Sequence, residues 1–110
     1  MSYDIRITRV AEEDLNSAAE YIEFVLHDPK AADDLLDEAE KKICELSTFP
    51  EKFALVDDPV LKAWGIRLTL VKNYLVFYVI SEDDHTIYIV RFLYGKRDWI
   101  TILKRGFSIE

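Results

Sequence analysis

Residues 74–94 read YLVFYVISEDDHTIYIVRFLY and contain two apolar runs on either side of five polar residues. Both runs, 74–80 and 86–94, are rich in β-branched and aromatic side chains, which is the composition of strands covered on both faces. The polar residues 81–85 between them predict a tight turn. This stretch therefore predicts the two central strands of an antiparallel sheet.

A third strand is predicted immediately before these two. Residues 66–70 alternate between apolar and polar side chains, the period of a strand with one buried face. Lys72 and Asn73 follow as a tight turn, because Asn tolerates the positive φ that such turns need. The three strands are expected to form an antiparallel meander.

The amino-terminal half has the pattern of one strand and two helices. Residues 3–7 alternate like a strand, whereas from Ala11 the apolar residues recur every three or four positions. The first helix is expected to end near His27, and the Asp28-Pro29 pair is a favourable start for a second helix. Residues 50–62, which contain two prolines, are expected to be a loop.

The predicted order is strand, helix, helix and three strands (β-α-α-β-β-β), in one domain over residues 1–110. Such an order belongs to the α+β class, as a two-layer sandwich in which an antiparallel meander sheet packs on an α-hairpin. The helices cover one face of the sheet, although the central strands are apolar on both. Either the tail at residues 99–103 covers the second face, or a partner protein does.

Composition excludes several classes of protein. Half of the 110 residues are hydrophobic, which excludes a disordered chain, and no apolar run approaches the roughly 20 residues of a membrane span. The single cysteine, Cys44, excludes an intrachain disulfide and, without a signal-peptide pattern, favours a cytoplasmic protein. The formal net charge of −7 argues against non-specific binding to nucleic acid.

The charge is unevenly distributed along the chain. Residues 1–60 contain six Lys or Arg against sixteen Asp or Glu, whereas residues 61–110 contain eight against five. The basic residues therefore lie in the part predicted to form the sheet, as expected for a surface that faces an anion. Acidic, solvated helix faces beside an ordinary sheet explain the same asymmetry equally well.

Two arginines stand out among the residues that could carry chemistry. The sequence lacks a Gly-rich phosphate loop, His or Cys residues at metal-ligand spacing and a nucleophile elbow, so no metal or cofactor is expected. Arg67 and Arg91 instead interrupt apolar strands, where an unpaired charge is costly.

Two interpretations of these arginines are open. In the first, they converge with Tyr94 on a cationic site to which nearby basic residues add charge, namely Lys72, Lys96 and Arg97. Arginine forks suit phosphate oxygens, and a phenol can donate a proton or orient a reacting group. In the second, both arginines pair with acidic side chains at the rim of the sheet.

Four segments of the chain resemble the RelE/ParE superfamily of toxins from bacterial type II toxin–antitoxin, or plasmid stabilisation, systems. They are TRVAEEDL at 8–15, GIR at 65–67, NYLVFY at 73–78 and IVRFLYGKRDW at 89–99. No single segment is diagnostic, and the order of all four over nearly the whole length carries the resemblance.

The resemblance implies a growth inhibitor that a cognate antitoxin protein neutralises. In RelE-like members the target is messenger RNA on the ribosome, which is cut by using its own 2′-hydroxyl against the adjacent phosphate. In ParE-like members the nuclease residues are missing and the target is DNA gyrase. A catalytically inactive protein-binding module with the same fold is the alternative function.

The resemblance also implies roles for individual residues. The residues that match catalytic positions are Arg67, Arg91 and Tyr94. Beside them, the basic residues expected to bind the target are Lys72, Lys96 and Arg97, and the apolar tail residues expected to contact the antitoxin are Trp99 and Leu103. Leu93, however, stands where certain nucleases have a catalytic histidine, and no tyrosine follows Arg97. The cleavage machinery is therefore incomplete, and whether the protein is an enzyme stays open.

Overall fold

The computed structural model of the protein describes residues 2–110. Within this range the strands are β1 (Asp4–Ile7), β2 (Arg67–Val71), β3 (Tyr74–Ser81) and β4 (Thr86–Tyr94). The α-helices are α1 (Arg9–Glu20), α2 (Pro29–Glu45), α3 (Pro59–Ala63) and α4 (Trp99–Lys104), and a π-helical turn, Tyr21–Val25, extends α1. The predicted order of one strand, a helix pair and a meander is confirmed.

Residues 50–62 differ from the predicted loop. They contain a 3-10 turn, Pro50–Lys52, and most of α3. Helix α3 forms because the Asp58 side chain accepts the N–H groups of Val60 and Leu61, while Pro59 occupies the first helical position, where a missing N–H costs nothing.

The four strands form one sheet in the order β1-β4-β3-β2. Strands β2, β3 and β4 are antiparallel neighbours, and β1 lies parallel to β4 at the edge. Helices α1 and α2 begin at side-chain caps, in which Thr8 accepts the N–H of Ala11 and Asp28 accepts that of Ala31. The helix hairpin covers one face of this sheet.

A second core lies on the opposite face of the sheet, under α3 and α4. The Trp99 ring packs on the Phe77 ring with 5.3 Å between centroids, and Leu103 is fully buried beside Leu61 and Val90. The chain's own tail therefore covers the second face, which is the first of the two arrangements that the sequence allowed.

Strand β4 contains a bulge that changes which side chains face the helices. Phe77 of β3 pairs with Arg91, but the next residue, Tyr78, pairs with Ile89, so Val90 is an extra residue on β4. Before the bulge Ile89 faces the helices, and after it Phe92 does so, three positions later instead of two or four. Beyond Arg91, the alternation of β4 side chains between the two faces of the sheet is therefore shifted by one residue.

Candidate functional site

Arg91 is bound by a carboxylate from α1. Its Nε and Nη2 atoms donate to the two carboxylate oxygens of Asp14 at 2.7 and 3.0 Å, a fork-shaped contact in which both side chains are mostly buried (21% and 14% exposed). Asp14 also accepts the backbone N–H of Phe92 at 3.1 Å. The guanidinium charge is therefore matched within the protein, as in the second interpretation of the sequence.

Arg67 lies at the start of β2, on the same face of the sheet as the helix hairpin. Its Nη1 atom donates to the backbone carbonyl of Phe53 at 2.7 Å, and the residue pairs in register with Tyr78. The Tyr78 hydroxyl in turn donates to the carbonyl of Pro50 at 2.6 Å. Arg67 and Tyr78 thus anchor the chain that follows α2.

The three catalytic candidates are not brought together. Tyr94 pairs with Tyr74, whereas Arg67 pairs with Tyr78, four residues further along β3, or roughly 13 Å away at the rise of a strand. Arg91 lies on β4, with β3 between it and β2, and points to Asp14. Tyr94 alone of the three borders the large open cavity at its end of the sheet.

This cavity, which we call the aromatic groove, has a volume of about 760 Å³ and lies between the end of α1 and the β2–β3 turn. Its lining is mostly aromatic and aliphatic, and includes Tyr21, Ile22, Leu26, Tyr74, Phe92 and Tyr94. The Tyr74 ring stacks on Phe92 at 5.1 Å between centroids and meets the Tyr94 ring edge-on at 5.5 Å. One side of the groove is thus formed by three aromatic rings that pack on one another.

The Tyr74 hydroxyl in the groove is a hydrogen-bonding group rather than a base. Burial raises the pKa of Tyr74, and the neighbouring hydroxyls of Tyr94 and Tyr21 raise it further. A phenol with a raised pKa stays protonated at neutral pH and does not abstract a proton. Tyr74 is therefore suited to hydrogen-bonding a partner and does not supply a general base.

Two of the three target-binding candidates lie beside the groove. Arg97 lines it directly, and Lys72 lines an adjoining cavity of about 300 Å³ that shares Tyr74 and Asn73 with it. The Gly95 N–H donates to the Asn73 carbonyl at 2.8 Å, which ties the β2–β3 turn to the end of β4. Lys96 is exposed in the turn that follows β4.

Comparison with known protein families identifies the chain. The sequence profile of the family described as "ParE toxin of type II toxin-antitoxin system, parDE" matches residues 5–99. The chain belongs to the ParE toxin family. It is thus a toxin of a type II toxin–antitoxin system. The match ends at Trp99, the first residue of α4, so most of the helix that covers the second core lies outside it.

Two solved structures have the same fold as this ParE family member. One is the chromosomal ParDE toxin–antitoxin system from P. aeruginosa, with a TM-score of 0.70, 17% identity and coverage of 86% of this chain and 98% of that chain. The other is the toxin–antitoxin complex RelBE2 from Mycobacterium tuberculosis, with a TM-score of 0.58, 19% identity and coverage of 86% and 99%. A search of curated protein sequences gave no significant match.

The sequence did not predict a group of exposed apolar residues at the π-helical turn, beside the groove of this ParE family member. Tyr21, Phe24, Val25 and Leu26 are between 51% and 65% exposed. The sequence placed Val25 on the buried stripe of the first helix, but the π-helical turn widens the helix there and rotates Val25 outward. The signal available was the presence of Tyr21, Phe24 and Leu26 off the buried stripe.

The residues expected to contact the antitoxin lie in the second core. Leu103 has no exposed surface, and Trp99 is partly buried against Phe77. Contact through Leu103 would therefore require α4 to leave the sheet. An antitoxin role for these two residues stays a prediction.

Two further observations concern residues 2–110 only. Their His, Cys, Asp and Glu side chains include no group of three or more placed to hold a metal ion. None of their helices combines the length and apolar character that crossing a membrane demands.

Tyr78→Phe is expected to lower the free energy of unfolding by about 1–2 kcal/mol at pH 7, because the buried Pro50 carbonyl loses its donor. Burial raises the pKa of Tyr78 from 10.0 to about 12, so the unfolded chain loses this phenol proton first. The stability that the phenol contributes is complete below about pH 10 and declines as the pH rises toward 12. Urea denaturation at several alkaline pH values should therefore show the two proteins converging.

The control for this measurement is Leu70→Ala, which replaces an exposed side chain and removes no titratable group. Its difference from the parent protein should stay constant over the same pH range. A gap between Tyr78→Phe and the parent that also stays constant would contradict the proposed role of the buried phenol.

Proposed function

We propose that this ParE family toxin inhibits growth by binding DNA gyrase, and that a cognate antitoxin protein neutralises it. The family match supports the class of target, because the ParE-like branch of the superfamily poisons gyrase. The antitoxin is supported by the family and by both solved relatives, which are toxin–antitoxin systems.

The observation that carries the choice of gyrase over RNA cleavage is the Asp14–Arg91 fork. Cleavage of RNA needs positive charge free to stabilise the phosphate as its charge develops. The charge of Arg91 is already matched by Asp14, and Arg67 donates to a backbone carbonyl far from Tyr94. Leu93, where some cleaving members have a histidine, is buried in the second core.

The composition of the aromatic groove favours a protein target. Protein–protein interfaces are enriched in Tyr, Phe and Arg, and their energetic centres are most often Trp, Tyr or Arg. The groove presents Tyr21, Tyr74, Tyr94 and Arg97 around one open cavity. The net charge of −7 disfavours a ligand of ribosomal RNA, whose binding depends on neutralising phosphates.

The decisive experiment combines expression with two assays on purified protein. Induction of the toxin alone should arrest growth, and co-expression of the product of the adjacent open reading frame should relieve the arrest. Purified toxin should inhibit supercoiling by gyrase and leave ribosome-bound messenger RNA uncut in primer extension. Codon-dependent cuts with normal supercoiling would assign the toxin to RNA cleavage, and harmless expression would indicate an inactive binding module.

Tyr94→Ala is expected to weaken the binding of gyrase about tenfold or more, as truncation of an interface tyrosine commonly does. Its effect on the free energy of unfolding should stay near 1 kcal/mol, because Tyr94 is 36% exposed and its ring meets Tyr74 edge-on. Binding is measured by titrating gyrase with each purified variant. The control is Leu70→Ala, because Leu70 is an exposed residue of β2 outside the groove. An equal loss of gyrase affinity in both variants would show that the groove is not the binding site.

A further inference from the structure

One carboxylate of α1 receives three hydrogen bonds from β4 at the bulge. Asp14 Oδ2 accepts from Arg91 Nε at 2.7 Å and from the Phe92 backbone N–H at 3.1 Å, while Oδ1 accepts from Arg91 Nη2 at 3.0 Å. A bulge disrupts the ladder of the strand that carries it. Asp14 thus supplies, from outside the sheet, an acceptor for the first backbone N–H beyond the bulged pair.

The bulge decides which side chains reach the aromatic groove. Tyr88 before the bulge and Val90 within it face the second core, and Leu93 faces that core after it. Had the strand alternated without the extra residue, Leu93 would face the helices, and Phe92 with Tyr94 would face the second core.

Hydrophobicity alone does not select between these two registers. Phe92, Leu93 and Tyr94 are all apolar or aromatic, and both faces of β4 are buried in a core, so either arrangement would bury apolar surface. A polar contact that fits only one register can make the choice. The Asp14 contact with Arg91 and the Phe92 N–H is such a contact.

Thr8 contacts the last residue before the bulge and the bulge residue itself. Its N–H donates to the carbonyl of Ile89 at 3.0 Å, and its hydroxyl lies 3.5 Å from the carbonyl of Val90. Thr8, which caps α1, and Asp14, near the middle of that helix, thus contact β4 on both sides of the bulge.

We propose that Asp14 is a positioning residue, which locks the β4 register that places Phe92 and Tyr94, rather than Leu93, in the aromatic groove. The groove's role in binding rests on the proposed function, but the register lock is a property of the free protein. It makes Asp14 a determinant of the surface that a partner meets, although its own side chain is mostly buried.

The test compares the reactivity of single thiols at the two neighbouring positions. In a Cys44→Ser background, which removes the exposed native thiol, Leu93→Cys and Tyr94→Cys are prepared separately and treated with a thiol reagent. Leu93 is 1% exposed and Tyr94 is 36% exposed, so position 94 should react about a hundredfold faster, because a buried thiol reacts only when the structure opens. Adding Asp14→Ala to each should reduce this ratio at least about tenfold.

The chain offers a matched control in Asp58. Its carboxylate also accepts from three donors, namely Lys104 Nζ and the N–H groups of Val60 and Leu61, each at 3.1 Å, and it is 12% exposed. Asp58→Ala therefore removes a comparable network from α3 and α4, which cover the second core, and leaves the contacts between α1 and β4 unchanged. The hypothesis requires the ratio to change more in Asp14→Ala than in Asp58→Ala.

An equal change in both variants would overturn the proposal, because it would reflect a general loss of stability. Asp14→Asn, which keeps an acceptor for the Phe92 N–H but loses the charge, should give an intermediate ratio, and it serves if Asp14→Ala does not fold. The proposal would also be wrong if the ratio of labelling rates at positions 94 and 93 stayed unchanged in both Asp14→Asn and Asp14→Ala. Since labelling needs neither gyrase nor antitoxin, a toxin that fails to bind gyrase leaves this result independent.

Discussion

Leu103→Ala is expected to lower the free energy of unfolding by about 3 kcal/mol, the usual cost of truncating a fully buried leucine. Leu103 projects from α4 into the second core, so the truncation leaves a cavity between the short helix and the sheet. Urea denaturation followed by circular dichroism measures the loss. The toxin's thermal midpoint should fall in parallel.

The control for this prediction is Ile109→Ala. Ile109 follows α4 but is half exposed, and its truncation should change stability by no more than about 0.5 kcal/mol. If Leu103→Ala behaves like this control, α4 does not rest on the sheet in solution, and the second face is open to a partner.

Arg91→Ala is expected to lower the free energy of unfolding by about 3 kcal/mol, because removing one partner strands a mostly buried carboxylate at Asp14. Arg91→Lys should be intermediate, since an ammonium keeps the charge but cannot form the two-pronged contact. Chemical denaturation of the purified variants gives the ranking.

Arg9→Ala provides the surface comparison for Arg91. Arg9 contacts Glu13 at 3.8 Å with both side chains largely exposed, and such pairs contribute about 0.5 kcal/mol or less. An Arg91→Ala protein with parental stability that no longer arrests growth would restore the interpretation in which Arg91 meets the target directly.

The sequence was sufficient for the order of the elements, because each element has its own period. The two-residue alternation of 66–70 and the three-to-four-residue spacing after Ala11 locate a strand and a helix without tertiary information. The two strands that are apolar on both faces also indicated that the second sheet face needed a cover, and the tail at 99–103, one of the two candidates, supplies it as part of α4.

The β4 bulge could not be located from the sequence. Alternation of apolar and polar side chains reveals a register shift only in a strand with one polar face, and residues 86–94 are apolar on both faces of the sheet. The sequence also did not reveal the partner of Arg91. Asp14 lies 77 positions away, and beside other acidic residues it looks like part of an ordinary solvated helix face. The sequence identified the unusual arginine, and the fold supplied its counter-ion.

The aromatic groove was only partly accessible to the same reasoning. Tyr94, Arg97 and Lys72 were singled out for their charge or hydroxyl, and they do lie at one end of the sheet. The other wall comes from α1 and its π-helical turn, a local change of helical geometry that a 3.6-residue period does not anticipate.

The parallel pairing of β1 with β4 has a consequence for how the toxin is made. Asp4 must meet Thr86, so β1 has no partner until β4 has been synthesised. At roughly 5–20 residues per second, the ribosome needs several seconds to cover that distance. Closure of the sheet edge is thus a late, long-range step of folding. During that interval the acidic segments of α1 and α2 have been synthesised, but the sheet on which they pack is incomplete.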